Sequence, residues 1–243
     1  MRRIKLVIDY VGSHFHGWQL QPGKDTVQKR LEEALGKLCK EEVHTVASGR
    51  TDSGVHAMAQ VVHFDTDTQY DLVAYVRGTN NYLPDSIRVL SASVESEDFH
   101  ARFSAKRKTY MYLMYKNREE RAIYSKRAVR IDEIDTEAIK KACSYLVGEH
   151  DFASFMSTGS DVKTTVRTVY FARLEQEGDL YKFYVCANGF LYNMVRKIVA
   201  ALLRVGTGKM SVEEFVSRLD SPDVMSLPYV APACGLYLLD VEY

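Results

Sequence analysis

The chain has 243 residues, 46% of them hydrophobic, and its 32 Lys and Arg balance 32 Asp and Glu. That is enough apolar material for one large domain or two of about 100 residues each, and the balance of charge excludes a uniformly basic nucleic-acid binder while leaving room for a local patch. Lys5 and Asp9 break the opening MRRIKLVIDY before a signal sequence forms, no apolar run is long enough for a membrane span, and Cys39, Cys143, Cys186 and Cys234 lack Cys-x-x-Cys spacing, so a cytoplasmic protein with core thiols is expected.

In chain order, Ile4, Leu6, Ile8 and Tyr10 alternate and predict a strand with one buried side. After the Pro22-Gly23 break, Val27, Leu31, Leu35 and Leu38 recur at helical spacing in DTVQKRLEEALGKLCK. Strands are expected around 43–47 and 59–64, a helix over 72–80, and a strand at SIRVLSASV. The second half repeats the order. KTYMYLMYK reads as a strand and TEAIKKACSYLVG as a helix, and TTVRTVYFARLE and LYKFYVCA read as strands joined by Glu177-Gly178-Asp179. FLYNMVRKIVAALLRV then predicts a long helix stopped by Gly206, SVEE at 211–214 fits a capping box opening a short helix, and GLYLLDVEY is the last strand.

The pattern predicts an α+β chain of two ferredoxin-like βαββαβ halves, residues 1–100 and 101–243, with antiparallel sheets and a cleft between them. No sequence identity links the halves.

SGRTDSGVHA, residues 48–57, lies between two expected strands. Asp-Ser-Gly is ordinary turn chemistry. Arg50, Thr51 and Asp52 together exceed what turning a chain requires, and loops on a rigid scaffold are where chemistry tends to sit. Residues 101–130 hold ten Lys or Arg against two Glu. A solvated face is the plain reading of such a run. Interleaving with Phe103, Tyr110, Tyr112, Tyr115 and Tyr124 also suits phosphates and unstacked bases. A second basic set, Arg196, Lys197, Arg204 and Lys209, lies on or after the long helix, which is apolar nearly all round. A guanidinium there needs an anion or a route to water, and no carboxylate falls between Asp179 and Glu213.

Several motifs fail. VGTGKMS lacks the first Gly and the Ser or Thr of a phosphate-binding loop, the seven histidines form no metal-ligand spacing, and Ser53 has Thr51 where a hydrolase elbow needs Gly.

FHGWQLQP, GRTDSGVHA, RKTYMY, HDFASF, NGFLYNMVRKIV with VGTGK, and APACGLYL follow in one order along nearly the whole chain. In these motifs the chain resembles the TruA-type tRNA pseudouridine synthases. The resemblance implies isomerisation of uridine at positions 38 to 40 of the tRNA anticodon arm, with neither metal nor organic cofactor, by a homodimer that a tRNA can bridge. By the match to GRTD, Asp52 is the catalytic residue, and by the match to NMVR, Arg196 is its basic partner. Tyr110 of RKTYMY stacks on the target base, and Leu236 of GLYL packs near it. Arg50 and the patch residues Arg107 and Lys108 are the expected RNA contacts. Ser53 stands where the family usually has Ala. Such an enzyme needs a carboxylate beside the sugar, acting as a nucleophile at C1′ or C6 or as a base at C2′, and a guanidinium that keeps it ionised. Base flipping costs a few kcal/mol, of which stacking on Tyr110 offsets about 1 to 3. The competing readings are a non-catalytic RNA-binding protein with tandem RRM-like modules, which needs no Asp and Arg pair, and a metal-dependent hydrolase using the histidines.

Overall fold

Alternate residues of β1 (Arg2–Tyr10) turn inward, with Ile4, Leu6, Ile8 and Tyr10 buried, as the period of two requires. The computed structural model describes residues 1–159, 162–220, 222–223 and 227–243. It divides into two compact units, Met1–Lys106 with Tyr237–Tyr243, and Arg107–Leu236. The strands are mostly antiparallel and the chain is mixed α/β.

In the first unit, α1 (Val27–Cys39) starts at Thr26, whose Oγ1 accepts the Lys29 N–H at 3.3 Å, and buries Val27, Leu31, Ala34, Leu35 and Cys39 as one stripe. The helix α2 (Leu72–Asn80) starts at Asp71, whose carboxylate accepts the Ala74 N–H at 2.7 Å. β1 lies between β3 (His56–Thr66) and β4 (Ile87–Glu95), antiparallel to both. The other edge of β3 takes the two-residue β2 (Val46–Ala47) opposite Val62 and His63, and β10 (Leu236–Glu242), parallel, with Tyr237 opposite His56.

The strand expected over 43–47 is therefore shorter. The Glu32 carboxylate of α1 takes the Thr45 N–H at 2.7 Å and its hydroxyl at 3.0 Å, which withdraws that amide from any ladder. The 100/101 boundary read from the sequence falls in the loop between β4 and β5 (Arg107–Lys116).

In the second unit the strand order is β5, β9 (Leu180–Ala187), β8 (Val166–Glu177) and β7 (Gly148–Asp151), and β6 (Val129–Ile131) runs parallel to β5. β6 and β7 carry too few residues to show a period and have no counterpart in the sequence reading. Met114, Leu174 and Phe183 of the sheet meet Ile139 of α3 (Thr136–Leu146) and Val199 and Leu202 of α4 (Met194–Gly206). The short helix α5 (Val212–Asp220) opens as expected, the Ser211 hydroxyl accepting the Glu214 N–H at 3.0 Å.

The long helix differs from expectation at its start. It begins at Met194 rather than Phe190 because Asn193 is left-handed, with φ 61° and ψ 6°. Its last residue is Gly206, as expected, with Ile139 so close that a Cβ there would stand 2.6 Å from Cδ1. The helix closes at Thr207, followed by Gly208 at φ 69°.

His63 of β3 is buried, accepts the Ala101 N–H through Nδ1 at 3.1 Å, and meets Phe99 and His100 edge-on. Burial lowers its pKa from 6.5 to about 4. Between those values the unfolded chain takes up a proton that the folded chain refuses, so this contribution is present above pH 6.5 and is lost as pH falls towards 4. Denaturant titrations across that window should show a steeper loss of stability for the wild type than for His63→Gln, whose amide oxygen still accepts a hydrogen bond but does not titrate; equal slopes would remove His63 as the cause.

Candidate active site

Residues 48–55 leave the sheet and must satisfy their backbone by other means. Buried Ser48 donates its N–H to Val61 O at 2.8 Å and its hydroxyl to Gln60 Oε1 at 2.7 Å, and Gln60 Nε2 donates to Gly49 O at 2.9 Å. Trp18 N–H reaches Thr51 O at 3.0 Å, and the Thr51 hydroxyl shares a 2.8 Å hydrogen bond with Tyr10, whose pKa burial pushes up to about 12. From this support Asp52, Ser53, Gly54 and Val55 turn tightly, with Val55 N–H on Asp52 O at 3.1 Å and Gly54 at φ 83°. A positive φ at the third position is the type II requirement.

The HGW segment braces the same turn. Gly17, at φ 87°, lies against it so closely that a Cβ would stand 2.9 Å from Thr51 O and 3.1 Å from Ser53 N. Ser53 is exposed, and its hydroxyl donates to Phe15 O at 3.2 Å, a tie that Ala in that place would lack. Asp52 is half-buried and Arg50 exposed. The turn and the dense polar set coexist in one loop. Gln60 and Tyr10 were missed as its supports, although a polar side chain at an inward strand position signals a buried partner.

In the second unit Arg196 lies in the first turn of α4 and is half-buried rather than enclosed. Its Nε donates to Ala231 O at 2.8 Å and its Nη1 to Asn193 Oδ1 at 2.8 Å, and Ala231 N–H returns to Arg196 O at 3.1 Å. The residues after Ala231 are pinned by Tyr112, whose hydroxyl donates to Pro232 O at 2.7 Å and whose ring lies 2.7 Å from where a Gly235 Cβ would be. Burial raises the pKa of Tyr112 and of the Cys234 thiol, and the Arg196 charge opposes both shifts. The helix's buried cation is its neighbour Lys197, 6% exposed, which donates to Met156 O at 2.8 Å and whose pKa burial lowers. Lys197 has no role in the sequence reading beyond the basic set, and a Lys within an apolar run is the available signal.

Tyr110 and Lys108 share a face of β5, opposite Val185 and Ala187 of β9. Tyr110 is 9% exposed and meets Phe190 edge-on at 5.0 Å, and Leu236 is buried. Arg107 is exposed, with its guanidinium 4.3 Å from the centre of the Tyr170 ring, and Lys108 is half-buried. The expected row of exposed aromatics among the basic residues is corrected: Tyr110, Tyr112 and Tyr115 are buried, Tyr110 and Tyr112 on one face of β5 and Tyr115 on the other against Tyr124 at 4.7 Å, and Phe103 is the open one at 75% exposure. Cys39, Cys143 and Cys186 are buried free thiols and Cys234 is partly exposed. Among the described residues no helix is long and apolar enough to cross a membrane, and no group of three or more His, Cys, Asp or Glu is placed to hold a metal ion.

The family described as tRNA pseudouridine synthase matches residues 6–104 and 142–243, which span both the Asp52 turn and the Arg196 helix. The tRNA pseudouridine synthase A of Caldicellulosiruptor bescii is 42% identical over 244 residues, covering all of both chains. The tRNA pseudouridine synthase A 2 of Clostridium perfringens is 42% identical with the same coverage, and the Paraburkholderia phytofirmans tRNA pseudouridine synthase A is 42% identical over all of this chain and 90% of its own. The family match leaves residues 105–141 outside it, whereas the identity to the Caldicellulosiruptor bescii and Clostridium perfringens proteins runs along the full length of each chain, and the chain belongs to the tRNA pseudouridine synthase family.

Proposed function

We propose that the protein isomerises uridine to pseudouridine in the anticodon arm of tRNA, at positions 38 to 40, with Asp52 as the catalytic carboxylate. The observation that carries this reading is the full-length family match, joined to a turn that holds Asp52 half-buried on a hydrogen-bonded base. Arg196 is the cationic partner, keeping the carboxylate ionised against desolvation. Tyr110 stacks on the flipped base, Leu236 packs near it, and Arg50, Arg107 and Lys108 bind the RNA. The protein works in the cytoplasm as a homodimer, without metal or organic cofactor.

A pair of ferredoxin-like halves with a cleft for the RNA belongs to the same proposal; the βαββαβ order supports it in the first half, while β6 and β7 add to that order in the second. In the first unit the strands run β4, β1, β3 with β2 beyond, and two helices connect them.

The chemistry balances without an external reactant. The N1–C1′ bond breaks, the uracil turns, the C5–C1′ bond forms, C5 gives up its hydrogen to water and N1 gains one. Tritium at C5 therefore escapes to solvent at each turnover. Asp52→Asn removes the charge at constant size, so tRNA binding should stay within a few-fold of wild type while tritium release ceases, the pattern of an interaction needed only beyond the ground state. Arg196→Met should fold and bind but release tritium far more slowly. Appreciable release by the Asn protein overturns the role of Asp52, and wild-type release by the Met protein overturns that of Arg196.

The basic residues are tested separately. Arg107→Ala with Lys108→Ala removes two phosphate contacts and should weaken binding and flatten its salt dependence by about one to two units of slope. An unchanged slope in filter-binding titrations would take this end of β5 out of the RNA interface.

A further inference from the structure

Asn193 stands at the position where a helix is normally capped, and it does not cap. A capping Asn in extended conformation accepts the backbone N–H two or three residues on. Asn193 is left-handed instead, at φ 61° and ψ 6°, and its side chain makes no such bond. The residue three on is Arg196, and Asn193 Oδ1 takes its guanidinium, Nη1 at 2.8 Å, in place of its amide. The other end of the carboxamide is also committed, with Nδ2 donating to the Ser157 hydroxyl at 3.1 Å.

That second bond joins the start of α4 to the segment that follows β7. Ser157 N–H reaches Tyr192 O at 3.0 Å, and one turn further along Lys197 holds Met156 O at 2.8 Å. Residues 156–157 are thus fixed to the start of the helix by three bonds, and Asn193 passes that rigidity to the guanidinium. Ala231 O, on Nε at 2.8 Å, holds the same group at a second point. Two acceptors from different segments, on two nitrogens of one planar group, define its plane. The left-handed backbone is what turns the carboxamide away from the helix amides and towards Arg196, and Asn is among the few residues other than Gly that accept this conformation readily.

We infer that Asn193 is a positioning residue for the isomerisation, orienting the Arg196 guanidinium through its carboxamide. The inference rests on the reading that Arg196 serves the active site. Its effect belongs to turnover rather than to binding, because a charge set off its line by about an ångström still attracts RNA but no longer meets the reacting group correctly.

Asn193→Gly keeps the left-handed backbone and removes only the carboxamide. Single-turnover tritium release, tRNA affinity and thermal melting are measured for this variant, for Arg196→Lys, and for the double variant. The expected result is a loss of about tenfold or more in the rate for Asn193→Gly, with affinity within about twofold and melting little changed. In the Arg196→Lys background, where no planar group remains to be oriented, the same change should cost less than about twofold, since residues acting as one unit are not additive. Ser157→Ala, which leaves the helix intact, should give the same pattern at smaller size and serves if Asn193→Gly melts early. Equal losses in both backgrounds, or a near-wild-type rate for Asn193→Gly, overturn the inference. So does full turnover by Arg196→Lys, which would mean the plane is immaterial. Arg196→Met distinguishes these failures from a failure of the underlying reading, since only that reading predicts its slow release.

Discussion

A loop that leaves a sheet carries carbonyls and amides that no ladder satisfies, and leaving them buried without partners would cost more than most single contacts return. In both units this need is met by side chains of neighbouring elements donating to loop carbonyls. Gln60 takes Gly49 O, Arg196 takes Ala231 O, Tyr112 takes Pro232 O and Lys197 takes Met156 O. Each bond ties a segment without regular structure to a strand or helix that has a core behind it. The loop that bears Asp52, in one unit, and the segment that receives Arg196, in the other, each inherit the rigidity of the elements that satisfy them.

The adjacent cations of α4 divide the work. Lys197 faces the packed side of the helix, where its ammonium is desolvated, its pKa falls, and one carbonyl receives it at 2.8 Å. A buried charge of this kind is costly to introduce and holds its partner firmly. Arg196 is half-buried, and its planar group of five donors holds the local scaffold through two of its nitrogens. A lysine in that place would spend its charge on one direction only. Arg196 entered the sequence reading as a puzzle because a guanidinium did not suit an apolar helix. The structure answers in part by starting the helix four residues later than its apolar pattern, at Met194, which leaves Arg196 in the first turn rather than the middle.

Elements with a long period were legible. The alternation of Ile4 to Tyr10 and the stripe from Val27 to Leu35 both correspond to buried faces, and helix 72–80 has the bounds expected. What was not legible depended on partners distant in sequence. Glu32 decides that 43–45 is not a strand, Ile139 decides how Gly206 is used, and the three- and four-residue strands β6 and β7 exist only by pairing. The aromatics of 101–130 were read as one exposed set because a charge run hides the period of the strand beneath it, and on β5 that period sends Tyr112 inward. For the candidate site, motifs named Asp52 and Arg196 but not their supports. Tyr10, Gln60, Asn193 and Tyr112 matter through hydrogen bonds that no spacing reveals.

Incubating the protein with an unmodified tRNA transcript and mapping pseudouridine base by base decides whether this family member acts on uridines of the tRNA anticodon arm. New pseudouridine confined to positions 38 to 40 is the expected result. A transcript left unmodified, or modified only outside the anticodon arm, would contradict it.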